Sequence, residues 1–367
     1  MSNGYCQTYE PISAQGAGDT EVRKISYCQA VNEAMFQEME RDSRVFVYGI
    51  GVPDHKKIFG TTEGLLERFG SERCFDTPLS EDAMTGLGLG AAVNGLRPVH
   101  IHIRIDFLLL AMNQLANMIS SFGYMSGGRL KVPLVIRAVI GRGWGQGCQH
   151  SKSMLSTFAH IPGLKVVLPT TPADAKGLLI SAIRDDNPVL FIEHRWLYWQ
   201  EGEVAEEAFA IELGKSNVLR KGTDLTIVGT SWMNAEALQA AEILDKRGVS
   251  VEIVDPRTIS PLDDEAIVES VTKTGHCIIA ENDWLHCGFG AEVAARVSQK
   301  CFGKLKSPVE RIGFAPTPCP TARHLENEFY PNAMDIIRAV EKKLGLSEMD
   351  LSEEDFYSHE NRFKGPF

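Results

Sequence analysis

No apolar run of about eighteen residues or more occurs in the sequence, so no segment reads as a membrane-spanning helix. Basic residues are in the minority: 37 Lys and Arg stand against 48 Asp and Glu, a formal net charge of −11. That balance argues against nucleic acid as a main partner, because phosphate binding needs clustered Lys and Arg. The polar N-terminus MSNGYCQTYEPISAQGAGDTEV lacks the apolar core of a signal peptide. The eight cysteines form no CxxC pair and no Cys/His cluster of metal spacing, which reads as reduced thiols in a cytoplasmic protein. Cys28 and Cys301 fall in apolar helical patterns and read as small hydrophobes. Nucleotide signatures are missing as well. No GxGxxG leads from a strand into a helix and no GxxxxGK[ST] occurs, while GLGLG at 86–90 lies inside a helical pattern.

What is present is an alternation of strand-like and helix-like segments. VFVYGI (45–50), VPLVIR (132–137), KVVLP (165–169) and PVLFIE (188–193) are short, β-branched and flanked by turn residues, as buried strands are. Helical periodicity fills 25–43 and 173–186. A second series follows, with strands at 224–231, 249–255, 276–282 and 308–313 and helices at 233–246, 263–273, 290–302 and 332–345. The pattern predicts an α/β protein with two open, mostly parallel sheets flanked by helices. The expected organisation is a polar tail (1–23), a first domain (24–200), a linker (201–222), a second domain (223–345) and an acidic tail (346–367) that is either solvated or a subunit contact.

Three stretches could carry chemistry. In FDTPLSEDAMTGLGLGAAVNG (75–95), Glu81 and Asp82 open a helix behind Ser80, where acids favour the positive end of the helix dipole and Ser is a cap. The dipole does not explain Gly86, Gly88 and Gly90, each costing about 1 kcal/mol relative to Ala unless something approaches the backbone closely. In RPVHIHIRIDF (97–107), Val99, Ile101, Ile103 and Ile105 alternate with His100, His102, Arg104 and Asp106. The polar face belongs either to an edge strand facing water or to a cavity lining. In GRGWGQGCQHSKS (141–153), His150 ends a glycine-rich loop between strand and helix, a place suited to proton transfer; His160 and His194 have weaker claims.

Taken together, DTPLSE (76–81), GLRPV (95–99), DF (106–107), YMSGG (124–128), QHS (149–151), FAHIPGLKVV (158–167), FIEH (191–194), VDPRTISPLD (254–263) and GFGAEVAARV (288–297) resemble one family. It is the β subunit of the thiamine-diphosphate-dependent first component (E1) of 2-oxo acid dehydrogenase complexes, in the transketolase superfamily. The resemblance covers roughly residues 24–345. It implies a transketolase-like pyrimidine-binding domain followed by a transketolase C-terminal domain. By the same resemblance, Glu81 matches the carboxylate that hydrogen-bonds the cofactor's aminopyrimidine and favours its imino tautomer, which prepares the thiazolium carbon for attack on a 2-oxo acid. Phe107 matches the aromatic that packs against the pyrimidine, and His150 the histidine that handles protons near the thiazolium. The carbonyl of Ala182, with Asp185 and Asn187, resembles a structural potassium site.

The family also accounts for the missing diphosphate motif, since a GDGxxN-type sequence that holds the diphosphate and Mg²⁺ lies on a separate α subunit. The resemblance therefore implies half of an active site, completed in an α2β2 heterotetramer and served by a lipoyl acyltransferase component. The sequence departs from the family at GIGV (49–52), where GEDV is usual, and at Ile101, where an acid is usual. We therefore expect Arg104, His102 and His100 to contact an anionic or hydroxylated substrate. The main expectation is decarboxylation of a small 2-oxo acid with acyl transfer to lipoyl. The alternative is carboligation onto a non-lipoyl acceptor in a biosynthetic pathway.

Overall fold

A computed structural model of the chain describes residues 22–54, 56–141 and 145–356. Most of the polar N-terminal tail, part of the 141–153 loop and the end of the acidic tail lie outside the described residues.

The first sheet has seven strands, in the spatial order Thr258–Ser260, Lys165–Val167, Val189–His194, Val135–Ile140, Arg97–His102, Val45–Gly49 and Cys74–Phe75. All of its pairings are parallel except that of Thr258–Ser260, an antiparallel edge contributed by the second half of the chain. The second sheet runs Glu310–Phe314, Cys277–Trp284, Leu225–Gly229, Val251–Asp255 and Asn217–Arg220, parallel except at the last strand. Interior strands such as Val45–Gly49, Val135–Ile140 and Val189–His194 are buried at every position, as parallel strands covered on both faces must be.

The helices begin and end on local chemistry. Ser26 and Gln29 form a capping box for helix Tyr27–Arg41, which packs on helix Pro172–Arg184, itself opened by Thr171 and Pro172. Helix Asp264–Thr274 is capped by Asp263 and stopped by Gly275 in the left-handed region.

Three sequence expectations change. The polar alternation from 97 to 107 is not one strand, because pairing with Val135–Ile140 ends at His102 and a short helix, Ile105–Leu108, follows. The 201–222 segment supplies a strand, Glu201–Ala205, to a two-stranded sheet with Val22–Ser26, and the edge strand Asn217–Arg220 to the second sheet. Within the acidic C-terminal segment, Leu351 and Phe356 are buried in the core of the second half.

Candidate active site

Beyond the carboxyl ends of strands Val45–Gly49 and Arg97–His102 lies an open cleft, where open parallel sheets place their ligands. Its walls are Ile50, Thr77, Pro78, Glu81, Met84, His100, Ile101, His102, Ile103 and Phe107. Two contacts fix the segment that brings Glu81 to the rim. Asp76 accepts the amides of Gly51 (2.9 Å) and Thr77 (2.8 Å), tying the approach loop to the end of the first of these strands. The Tyr48 hydroxyl donates to the Met84 carbonyl at 2.9 Å. This contact explains one glycine, since a Cβ on Gly88 would stand 2.4 Å from that hydroxyl. At Gly86 a Cβ would meet Gln114 at 3.4 Å, and at Gly90 it would meet nothing within 4 Å.

Glu81 is the first residue of helix Glu81–Val93 and is half-buried. The Ser80 hydroxyl caps nothing. Among the described residues no group bonds the Glu81 carboxylate, so it faces the cleft with its acceptors open. One turn further on, Thr85 Oγ1 lies 3.3 Å from His102 Nε2, which is also 3.2 Å from His100 Nδ1. His100 stacks on Tyr48 with ring centroids 4.3 Å apart, a consequence of their direct pairing across the two strands. The histidine face is therefore a cavity lining, not a water-exposed edge. Burial, and then the neighbouring His102, holds His100 well below its usual pKa, and burial pushes His102 down to about 4. Both imidazoles are neutral at pH 7. They can bond a hydroxyl or an amine, but they supply no positive charge for an anionic substrate.

Arg104 is 3% exposed, and its guanidinium donates to the backbone carbonyls of Gly141 and His150. The expected substrate contact is thus replaced by a brace on the histidine loop. Asp106 braces the same loop, one carboxylate oxygen accepting from Lys152 N (3.3 Å) and Nζ (3.2 Å). Its other oxygen is buried without a hydrogen bond among the described residues. Ser151 donates to the Gly147 carbonyl at 2.6 Å. Thus fixed, the His150 ring meets Phe107 edge to face at 5.3 Å.

The structure brings Glu81, Phe107, His102 and His150 into one neighbourhood and leaves the Ala182, Asp185 and Asn187 group at the other end of the sheet. There Arg97, which opens its strand, donates to the carbonyls of Ile183 and Asp185, each at 3.0 Å. The Asp185 carboxylate bonds the Lys165 ammonium on one oxygen and Asn187 on the other, and the Ala182 carbonyl accepts the Asp185 amide. Arg97 and Lys165 thus hold the carbonyl and one carboxylate oxygen of Asp185, while the Ala182 carbonyl takes a backbone amide, an arrangement that does not favour a resident potassium ion. Sequence reasoning missed Tyr48 and Thr85 as parts of the site. Tyr48 had a usable signal, as a polar ring at the end of a buried strand next to the histidine strand.

Comparison with known proteins places these features in a class. Residues 23–200 match the transketolase pyrimidine-binding domain and residues 214–336 the transketolase C-terminal domain. A solved structure described as a split-gene transketolase, an inactive β4 tetramer, shares the fold with a TM-score of 0.68 at 24% identity, over 88% of this chain and 99% of that one. Sequence relatives are more specific. The β subunit of an acetoin:2,6-dichlorophenolindophenol oxidoreductase from Cupriavidus necator is 43% identical, over 88% of this chain and 98% of the relative. The 2-oxoisovalerate dehydrogenase β subunit of Bacillus subtilis is 42% identical and the pyruvate dehydrogenase E1 β subunit of Rickettsia bellii 41%, each over 87% of this chain and 98% of the relative. The chain belongs to the family of β subunits of the E1 component of 2-oxo acid dehydrogenases, which are thiamine-diphosphate-dependent enzymes.

Proposed function

We propose that this chain supplies the pyrimidine-side half of an active site that decarboxylates a small 2-oxo acid and passes the acyl group to lipoyl. The observation that carries the reading is the open Glu81 carboxylate at the cleft rim beside Phe107. A carboxylate without internal partners, next to an aromatic face and neutral imidazoles, fits a flat ring that presents a basic nitrogen and an amine. When bound, thiamine diphosphate supplies the carbon that attacks the 2-oxo acid and stabilises the charge left by loss of carbon dioxide. The chain's own residues do the rest. Glu81 binds and orients the ring and shares a proton at its nitrogen. Phe107 packs on its face, and His150, held by Arg104 and Asp106, is placed to move protons at the reacting end.

Diphosphate and Mg²⁺ are assigned to a separate α subunit in an α2β2 assembly, with a lipoyl acyltransferase as the next component. The relatives favour this dehydrogenase reading over carboligation. Potassium forms no part of the proposal. The proposed compartment is the cytoplasm, a reading supported by the seven free thiols among the described residues. The test is co-purification with the α subunit, followed by turnover assays on pyruvate, 2-oxoisovalerate and acetoin with and without a lipoyl domain. Lipoyl-dependent release of carbon dioxide from one of the two acids is expected. Turnover of acetoin alone would move the chain to the oxidoreductase branch.

A further inference from the structure

Asp283 takes no part in the site described so far. It lies near the end of strand Cys277–Trp284 in the second sheet and is 3% exposed, where burial favours the neutral acid. One of its oxygens accepts the Trp284 amide at 2.9 Å. The other accepts the Leu155 amide at 2.7 Å, from a residue 128 positions away in sequence. Leu155 opens the short helix Leu155–Ala159, and Met154 enters it in the left-handed region at φ +57°. A methionine keeps that conformation only where its surroundings impose it. Four residues upstream is His150, whose carbonyl is held by Arg104 and whose following lysine is held by Asp106.

The segment from His150 to Ser156 is thus anchored at its start by residues that follow a strand of the first sheet and at its end by the second sheet. We propose that Asp283 is a positioning residue for His150, setting the histidine's segment from the opposite half of the chain. The proposal rests on the reading of His150 as the proton-handling group. Without the carboxylate, the end of the segment loses its acceptor and the left-handed turn relaxes. The imidazole then swings about the upstream anchors, and misplacement of about 1 Å is enough to slow a positioned group by up to about a hundredfold.

The test uses the complex reconstituted with its α subunit, thiamine diphosphate and Mg²⁺, and whichever of pyruvate, 2-oxoisovalerate or acetoin the wild type turns over. D283N keeps the shape but replaces one of the two acceptor oxygens with an amide donor. It is expected to lower kcat roughly ten- to hundredfold with KM changed less than about twofold, and D283E to restore part of the loss. In an H150A background D283N should cost nothing further, because its effect passes through that ring. Unchanged kcat in D283N, a loss that multiplies with H150A, or failure of both D283N and D283E to assemble would each overturn the proposal. Full turnover by H150A would instead overturn the reading of His150, a separate and distinguishable failure.

Discussion

The helix that opens at Glu81 and the segment that follows His150 meet near one ring, Phe107, yet they are built in opposite ways. The His150 segment has its backbone secured by Arg104, Asp106 and Asp283, drawn from both halves of the chain. Glu81 opens a helix whose Ser80 does not cap, and its carboxylate has no partner among the described residues. One group is pre-set by the fold and the other is left open for something the chain does not itself contain. An anchored histidine beside an open acceptor is the arrangement that the proposed half of a shared active site requires.

The strongest way to break this contrast is to remove the open acceptor. Glu81→Gln should lower turnover of the reconstituted complex by about a thousandfold or more while leaving subunit assembly, read by size-exclusion chromatography, unchanged. Next in size is the polar tie between Glu81's helix and the histidine strand. Burial holds folded His102 at about 4, below the ordinary value of 6.5. As pH falls below 6.5, the unfolded chain takes up the proton first. Stability is therefore lost between about 6.5 and about 4, by up to roughly 3 kcal/mol, and is unaffected by this group above 6.5. His100 acts in the same direction. H102Q should flatten part of the slope in urea melts across that range, and an unchanged slope would remove the buried neutral imidazole from the account.

Arg104 sharpens the other side of the comparison. As a brace on the histidine loop, its replacement in R104M should cost roughly ten- to hundredfold in kcat with KM unaltered, whereas a substrate contact would raise KM. The smallest effects distinguish the glycines of the Glu81 helix. A Cβ at Gly88 collides with the Tyr48 hydroxyl, so G88A should destabilise the chain by roughly 1–3 kcal/mol. A Cβ at Gly90 meets nothing, so G90A should stabilise the isolated chain by roughly 0.5–1 kcal/mol, measured by chemical melts.

Most strands and helices were legible because continuous β-branched runs and helical periodicity each have one simple reading. The run VPLVIR was placed early, the strand itself being Val135–Ile140, because apolar residues flank both ends and only pairing with a neighbour sets the limits. The stretch from 97 to 107 misled for a related reason. Its alternation of apolar and polar residues continues after the neighbouring strand has stopped pairing at His102, and periodicity carries no record of the neighbour. Glu81, Phe107 and His150 are legible as candidates from local motifs that resemble a known family. Asp283 is not, because its role depends on a contact across 128 positions, and nothing in the residues around it points to Leu155. Arg104 is legible as a candidate, but its partners in the fold are not. Charge and strand register suggested a ligand, while the structure spends the guanidinium on two backbone carbonyls.

Residue-resolved hydrogen exchange, on the chain alone and then on the complex with α subunit and thiamine diphosphate, tests the contrast most directly. The amides of Lys152 and Leu155, bonded to Asp106 and Asp283, should be protected in both states. The uncapped first turn, from Glu81 to Ala83, should exchange freely in the chain alone and gain protection only in the complex. Free exchange at Lys152 and Leu155 in the isolated chain, with protection arriving only with the partner, would contradict the account.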